Sequence, residues 1–118
     1  SMEGLEIVVC HGEHFVGLEI QRRLEQMGHT VTAVATNGED VLDFAERAQS
    51  DISLLGIKLN GELNGIETAS ILASRFNIPS VYLMDISDLK VVESAQMGAP
   101  YVHPNRLKFT SQAAGTSV

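Results

Sequence analysis

Ser50-Asp51-Ile52-Ser53-Leu54-Leu55-Gly56-Ile57-Lys58-Leu59-Asn60-Gly61 is an apolar run that ends in a polar, glycine-bearing loop. A short apolar run bounded by turn residues reads as a buried strand, here Asp51 to Ile57. The residues on either side decide its company. Gly65 to Phe76 follows with Ile66, Ala69, Ala73 and Phe76 at helical spacing, which predicts a helix with that inward face. Upstream, Asn37-Gly38-Glu39-Asp40 opens a helix running to about Gln49, with Val41, Ala45 and Ala48 inward.

The same alternation extends to both ends. Leu5 to Cys10 is a β-branched run stopped by His11-Gly12, and predicts a first buried strand. A helix from about Glu13 to Met27 puts Val16, Ile20, Leu24 and Met27 on one face, and Gly28 ends it. Thr30 to Ala35 is the second strand. Pro79 marks the entry to a fourth, Ser80 to Met84. Ser87 is placed to cap a fourth helix from Asp88 to Gln96, closed by Gly98, and Tyr101-Val102 is a short fifth strand. After His103-Pro104 no sustained periodicity follows.

Strands alternating with helices at these lengths imply βαβ units, a parallel sheet and helices on both of its faces. Such α/β folds build sites at the carboxyl ends of their strands, where the strand order switches. Cys10/His11/Gly12, Gly56, Met84/Asp85 and His103 all fall at such ends.

Composition narrows the function. The 118 residues make one domain; 44% are hydrophobic and 19% charged, an ordinary globular balance. No apolar run approaches the roughly 18 residues that cross a bilayer, and no secretory leader is expected before the first strand. Ser1-Met2 reads as a cloning remnant. Net charge is −7 with no Lys/Arg cluster, which argues against nucleic-acid binding because the phosphate backbone demands a basic face. The one cysteine, Cys10, has no internal disulfide partner, in keeping with a reducing cytoplasm.

From about Leu5 to Pro104 the chain resembles the receiver domain of bacterial response regulators. The resemblance is carried by the Ile7–Cys10 strand, Asn37-Gly38-Glu39-Asp40, the Ser50–Leu55 strand, the segment Leu59 to Glu67, Ile78-Pro79, and Gly98-Ala99 leading to Tyr101-Val102-His103-Pro104. It implies a doubly wound, flavodoxin-like α/β domain of receiver type over residues 3–104, with a five-stranded parallel sheet. Receivers run an aspartyl-phosphate switch: a carboxylate attacks phosphorus, Mg²⁺ held by acidic residues neutralises the phosphoryl oxygens, a lysine pairs with them, and a hydroxyl residue senses the product.

This sequence departs from that set at each position. The acidic pair becomes His11-Gly12, the phosphoacceptor becomes Gly56, the Thr/Ser at the end of the fourth strand becomes Met84, and the lysine becomes His103. The 44-residue spacing from Gly12 to Gly56 matches the usual receiver interval, so these are substitutions rather than slippage. The resemblance therefore implies a pseudo-receiver: a non-enzymatic cytoplasmic signalling module that has lost magnesium binding. Its protein partners are expected on the surface of the fourth helix, fourth strand and fifth strand.

Two other readings stay open. Cys10, His11, His14, Asp85 and His103 lie within reach of one another in this topology, and such side chains suit Zn²⁺ or redox sensing. Against it, the spacing matches no standard zinc motif, His14 is expected outward, and Cys10 is expected in the core. Alternatively, Glu13 or Asp85 supplies a relocated carboxylate for residual phosphate chemistry, although acids at strand ends and helix starts are more often solvated or dipole-favoured. The tail, residues 105–118, offers only Leu107 and Phe109 as anchors for a last helix. Either that helix is short or missing, its place taken by a homodimer partner or neighbouring domain, or the tail packs as coil.

Met27, Met84, Met97, Tyr82 and Tyr101 are expected in the core, Asp51 in a structural role, and Arg22-Arg23 on a solvated face.

Overall fold

A computed structural model describes residues 4–85, residue 88 and the strand pair 101–102. The chain runs β1 (Glu6–Cys10), α1 (His14–Gln26), β2 (Thr30–Ala35), α2 (Gly38–Arg47), β3 (Ile52–Gly56), α3 (Gly65–Phe76), β4 (Ser80–Leu83) and β5 (Tyr101–Val102). The five strands form one sheet in the order β2-β1-β3-β4-β5. Every pairing is parallel. This is the flavodoxin-like receiver fold expected from the sequence.

The order reverses at β1. The chain leaves β1 towards β2 on one side and returns to place β3 on the other, so the carboxyl ends of β1 and β3 form the switch point. Both strands are buried on both faces, which explains why their sequences read as unbroken apolar runs. Val8, Cys10, Leu55, Ile57, Tyr82 and Met84 pack with Val41 of α2 and with Ala69 and Leu72 of α3. On the opposite face Ile7, Val9, Leu54 and Leu83 pack with Ile20 and Leu24 of α1.

Local chemistry sets the helices. Asn37 caps α2 by accepting from the Asp40 N–H. Asn64 caps α3, and Glu67 reaches back to the Asn64 N–H, so two otherwise orphaned donors are satisfied together. Gly28, at φ +97°, ends α1 in the left-handed region, and the His29 N–H returns to the Leu24 carbonyl at 3.1 Å. Gly17 lets α1 lie close on β2, since a Cβ there would stand 2.9 Å from Val34 Cγ1.

Three expectations need correction. Ala73 is exposed, and the inward face of α3 is Thr68, Ala69 and Leu72, with Ile66 and Phe76 at its margins. Thr68 escapes a hydrophobicity pattern, yet its hydroxyl donates to the Asn64 carbonyl at 2.8 Å and is buried without penalty. Ala48 is exposed too, because α2 stops at Arg47 and the chain extends there towards buried Ser50, whose hydroxyl meets Thr32 Oγ1 at 3.0 Å. Finally, Asp51, Ile57 and Met84 lie just outside the strands assigned to them, and Glu13 and Met27 flank α1 rather than belong to it. The expected fourth helix, Met97, and the tail 105–118 lie outside the described residues.

Candidate functional site

Three loops meet at the carboxyl edge of the sheet. Residues 11–13 follow β1, residues 36–37 follow β2 and residues 57–64 follow β3. The His11 N–H donates to the Ala35 carbonyl at 3.0 Å, continuing the β1–β2 ladder by one residue and fixing the backbone of His11. The Asn60 N–H donates to Thr36 O at 3.0 Å, and Asn60 Nδ2 donates to Gly12 O at 3.1 Å. Asn60 thereby ties its own loop to both of the others.

At the centre is Gly56, the last residue of β3. A Cβ built there would lie 3.3 Å from His11 Cδ2, 3.6 Å from Leu59 Cδ2 and 3.7 Å from the Cys10 carbonyl oxygen. The imidazole thus leans over the position from which a side chain would rise. Its ring is held: His11 Nδ1 accepts the Glu13 N–H at 3.1 Å, which also fixes its tautomer as Nε2–H. A Cβ on Gly12 would stand 2.8 Å from Lys58 O, so the loop after β1 rests directly on the backbone of the loop after β3. Gly65 is as constrained, because a Cβ there would collide with the Gly56 carbonyl, while its N–H donates to Ile57 O at 2.7 Å.

The remaining candidates are dispersed. Met84 is buried and belongs to the core beneath α2 and α3. Asp85 is exposed; its N–H donates to Asp88 Oδ2 at 3.0 Å and its carbonyl accepts the Asp88 N–H at 3.1 Å, which closes a turn. Glu13 is exposed at the start of α1 and makes no side-chain cap. His14 is exposed, as expected. Cys10 is fully buried, and burial, with the Asp40 and Glu39 carboxylates adding to it, pushes its thiol up to about 12. Among the described residues, no three His, Cys, Asp or Glu side chains gather as a metal site requires. His103 lies outside the described residues.

Two residues entered the sequence reading only as the start of a helix and a loop. Glu39 Oε2 accepts the Glu62 N–H at 3.0 Å across 23 positions of sequence. Its own amide, then those of Glu62 and Leu63, hold the Glu39 carboxyl below its ordinary range. Asn60 ties the three loops as described. No local pattern signals either contact; only their place in Asn37-Gly38-Glu39-Asp40 and Leu59–Glu67, two segments that carry the resemblance, points to them.

Solved structures that superpose on this chain include receiver domains. The signal receiver domain of a modulated diguanylate cyclase from Desulfovibrio desulfuricans G20 superposes with a TM-score of 0.74 at 23% identity, over 95% of this chain and 88% of that one. The chain has the receiver fold. The N-terminal domain of a response regulator/sensory box/GGDEF protein from Carboxydothermus hydrogenoformans matches with a TM-score of 0.74 at 26% identity, over 92% of this chain and 86% of its own. A receiver domain of a sensor histidine kinase from Pseudomonas aeruginosa PAO1, with magnesium coordinated in its active-site cleft, gives 0.73 at 23%, over 94% and 91%. Neither a family model nor a curated protein matches the chain.

Tyr82 is buried in the core, as expected, and Arg22 and Arg23 both pair with Glu19 on the outer side of α1. Asp51 Oδ2 accepts the Glu6 N–H at 2.8 Å, a structural role. Among the described residues no helix is long and apolar enough to cross a membrane.

Proposed function

We propose that this chain is a receiver-type domain of two-component signalling that works without aspartyl phosphorylation, as a protein-interaction module. The observation that carries the reading is the corner at Gly56. The strand end where a receiver presents its nucleophile has no side chain, and an imidazole held by a backbone amide lies over it. Acyl-phosphate formation needs a carboxylate oxygen to attack phosphorus, and neither Gly56, Gly12 nor His11 has one.

Magnesium does not fit this corner. Mg²⁺ takes hard oxygen donors in near-octahedral order. The Pseudomonas neighbour coordinates magnesium in its cleft; here the strand-end positions supply an imidazole and two glycines, with no room at Gly12 for a side chain. We therefore expect no magnesium-dependent step in this domain. Its partners bind by mass action to one standing conformation rather than through a phosphate-driven shift in population.

An interaction role is supported by the outer side of α1. Phe15 is 81% exposed and Leu18 43%, three residues apart and thus adjacent on the helix surface. Neither contributes to the sheet packing made by Ile20 and Leu24. The surface of β4, β5 and the expected fourth helix is the second candidate, the one the resemblance favours, and a second copy of the chain or a neighbouring domain is among the partners proposed.

An amide-resolved NMR titration of the wild-type domain with Mg²⁺ and then beryllofluoride, which mimics the aspartyl phosphate, tests the reading. Amides around His11, Gly56 and Asp85 are expected to stay unmoved. Localised, saturable shifts there would overturn it.

A further inference from the structure

The corner at Gly56 is closed as well as unarmed. Restoring a carboxylate at position 56 meets the His11 ring at the first atom of the side chain, at 3.3 Å, a separation tight enough that the ring must give by a few tenths of an ångström. The ring cannot swing aside without giving up the Glu13 N–H, which Nδ1 accepts at 3.1 Å. Leu59 Cδ2 stands on another side of the same position, at 3.6 Å. An acidic residue at position 12 fares worse, because its Cβ would press on a backbone oxygen, Lys58 O, rather than on a side chain able to rotate. Separating those two loops would break Asn60 Nδ2 to Gly12 O.

We infer that His11 is a tethered plug, seated over Gly56, that holds the carboxyl-edge loops in one closed arrangement. The domain is then fixed in state by packing as well as by the loss of its nucleophile. Replacing the nucleophile alone leaves the plug in place. This inference rests on the receiver reading above, and deepens it by naming what keeps the site in a single state.

The first test compares Gly56→Asp with the double variant His11→Ala/Gly56→Asp, each titrated with Mg²⁺ and beryllofluoride by amide NMR. Removing the ring adds no oxygen donor, so any gain comes from space. The double variant is expected to bind Mg²⁺ about tenfold more tightly than the single one. Equal affinity in the two, including no binding by either, overturns the plug.

A second measurement uses no buried charge and serves where an Asp variant fails to fold. Gly56→Ala adds only the Cβ. It should raise the unfolding equilibrium constant about tenfold in the wild-type background and about threefold or less in a His11→Ala background. The same cost in both backgrounds overturns the inference. The two readings fail separately: a wild-type domain that answers beryllofluoride breaks the proposed function, whereas a silent wild type whose Gly56→Asp variant binds as well as the double breaks only the plug.

Discussion

The loops at the carboxyl edge divide into a frame and a corner, built to opposite standards. The frame spans Asn37–Asp40 and Asn60–Glu67. Its polar groups are matched: Asn37 to Asp40, Glu39 to Glu62, and the reciprocal Asn64 and Glu67 cap. The corner spans Cys10–Gly12 and Gly56, and it holds two glycines, an imidazole and a buried thiol. The frame lies in segments that carry the resemblance to receivers; the proposed departure from them is at His11, Gly12 and Gly56 in the corner.

The sharpest way to break this comparison is at Gly65, where frame meets corner. A Cβ there collides with the Gly56 carbonyl, and neither backbone can retreat, because the Gly65 N–H is bonded to Ile57 O. Gly65→Ala is expected to cost about 3 kcal/mol or more, the scale of severe overpacking. Urea denaturation measures it. A cost below about 1 kcal/mol would mean that the loops give way easily, and that frame and corner are not rigidly joined.

Next in size is Cys10, the floor of the corner. Its folded value is pushed up to about 12 from an ordinary 9.0, chiefly by burial. The folded protein therefore keeps the proton longer than the unfolded chain does. Stability is unaffected by this group below about pH 9 and falls as pH rises towards 12, by about 1.4 kcal/mol for each pH unit. Burial raises Tyr82 as well, which acts in the same direction. Cys10→Ala should flatten the alkaline limb of the stability curve, whatever it costs in packing at neutral pH. In the native protein at pH 8 the thiol should resist a disulfide reagent that labels it rapidly in urea. Fast native labelling would show that the corner opens.

The sequence told the frame and the corner apart unequally. Buried strands announce themselves through unbroken apolar runs, and Ile7 to Cys10 and Ser53 to Leu55 are buried as read. Caps and turn glycines also act over three or four residues, so Asn37 was legible at the start of α2. The inward face of α3 is turned away from Ala73 towards Thr68 and Leu72, and Thr68 escaped notice because its hydroxyl is satisfied on a backbone carbonyl, which an apolar pattern does not register. Gly12 and Gly56 were legible as glycines where the resemblance leads one to expect carboxylates. That His11 leans over Gly56 was not, because ring orientation depends on the Glu13 amide and on a strand 45 residues away. The Glu39 tether was hidden for the same reason.

Glu39 sharpens the comparison with the smallest effect. Its carboxylate accepts the Glu62 N–H beside Gly61, whose φ of +80° turns the loop. Backbone amides hold its pKa below the ordinary value, so the charged form is the one bound more tightly in the folded state. The contribution is therefore present at neutral pH and disappears as pH falls through the folded value, below the ordinary carboxyl range. Glu39→Gln keeps one acceptor oxygen and the shape but removes the charge. Global stability should move little, since the group is exposed, while exchange of the Glu62 amide should speed up several-fold. Lowering the pH should reduce the protection of the Glu62 amide, taken relative to its intrinsic rate, in the wild type and leave it unchanged in the variant. If the variant instead loosens His11 and Gly12 as much as Glu62, frame and corner are one cooperative unit, and the division drawn between them fails.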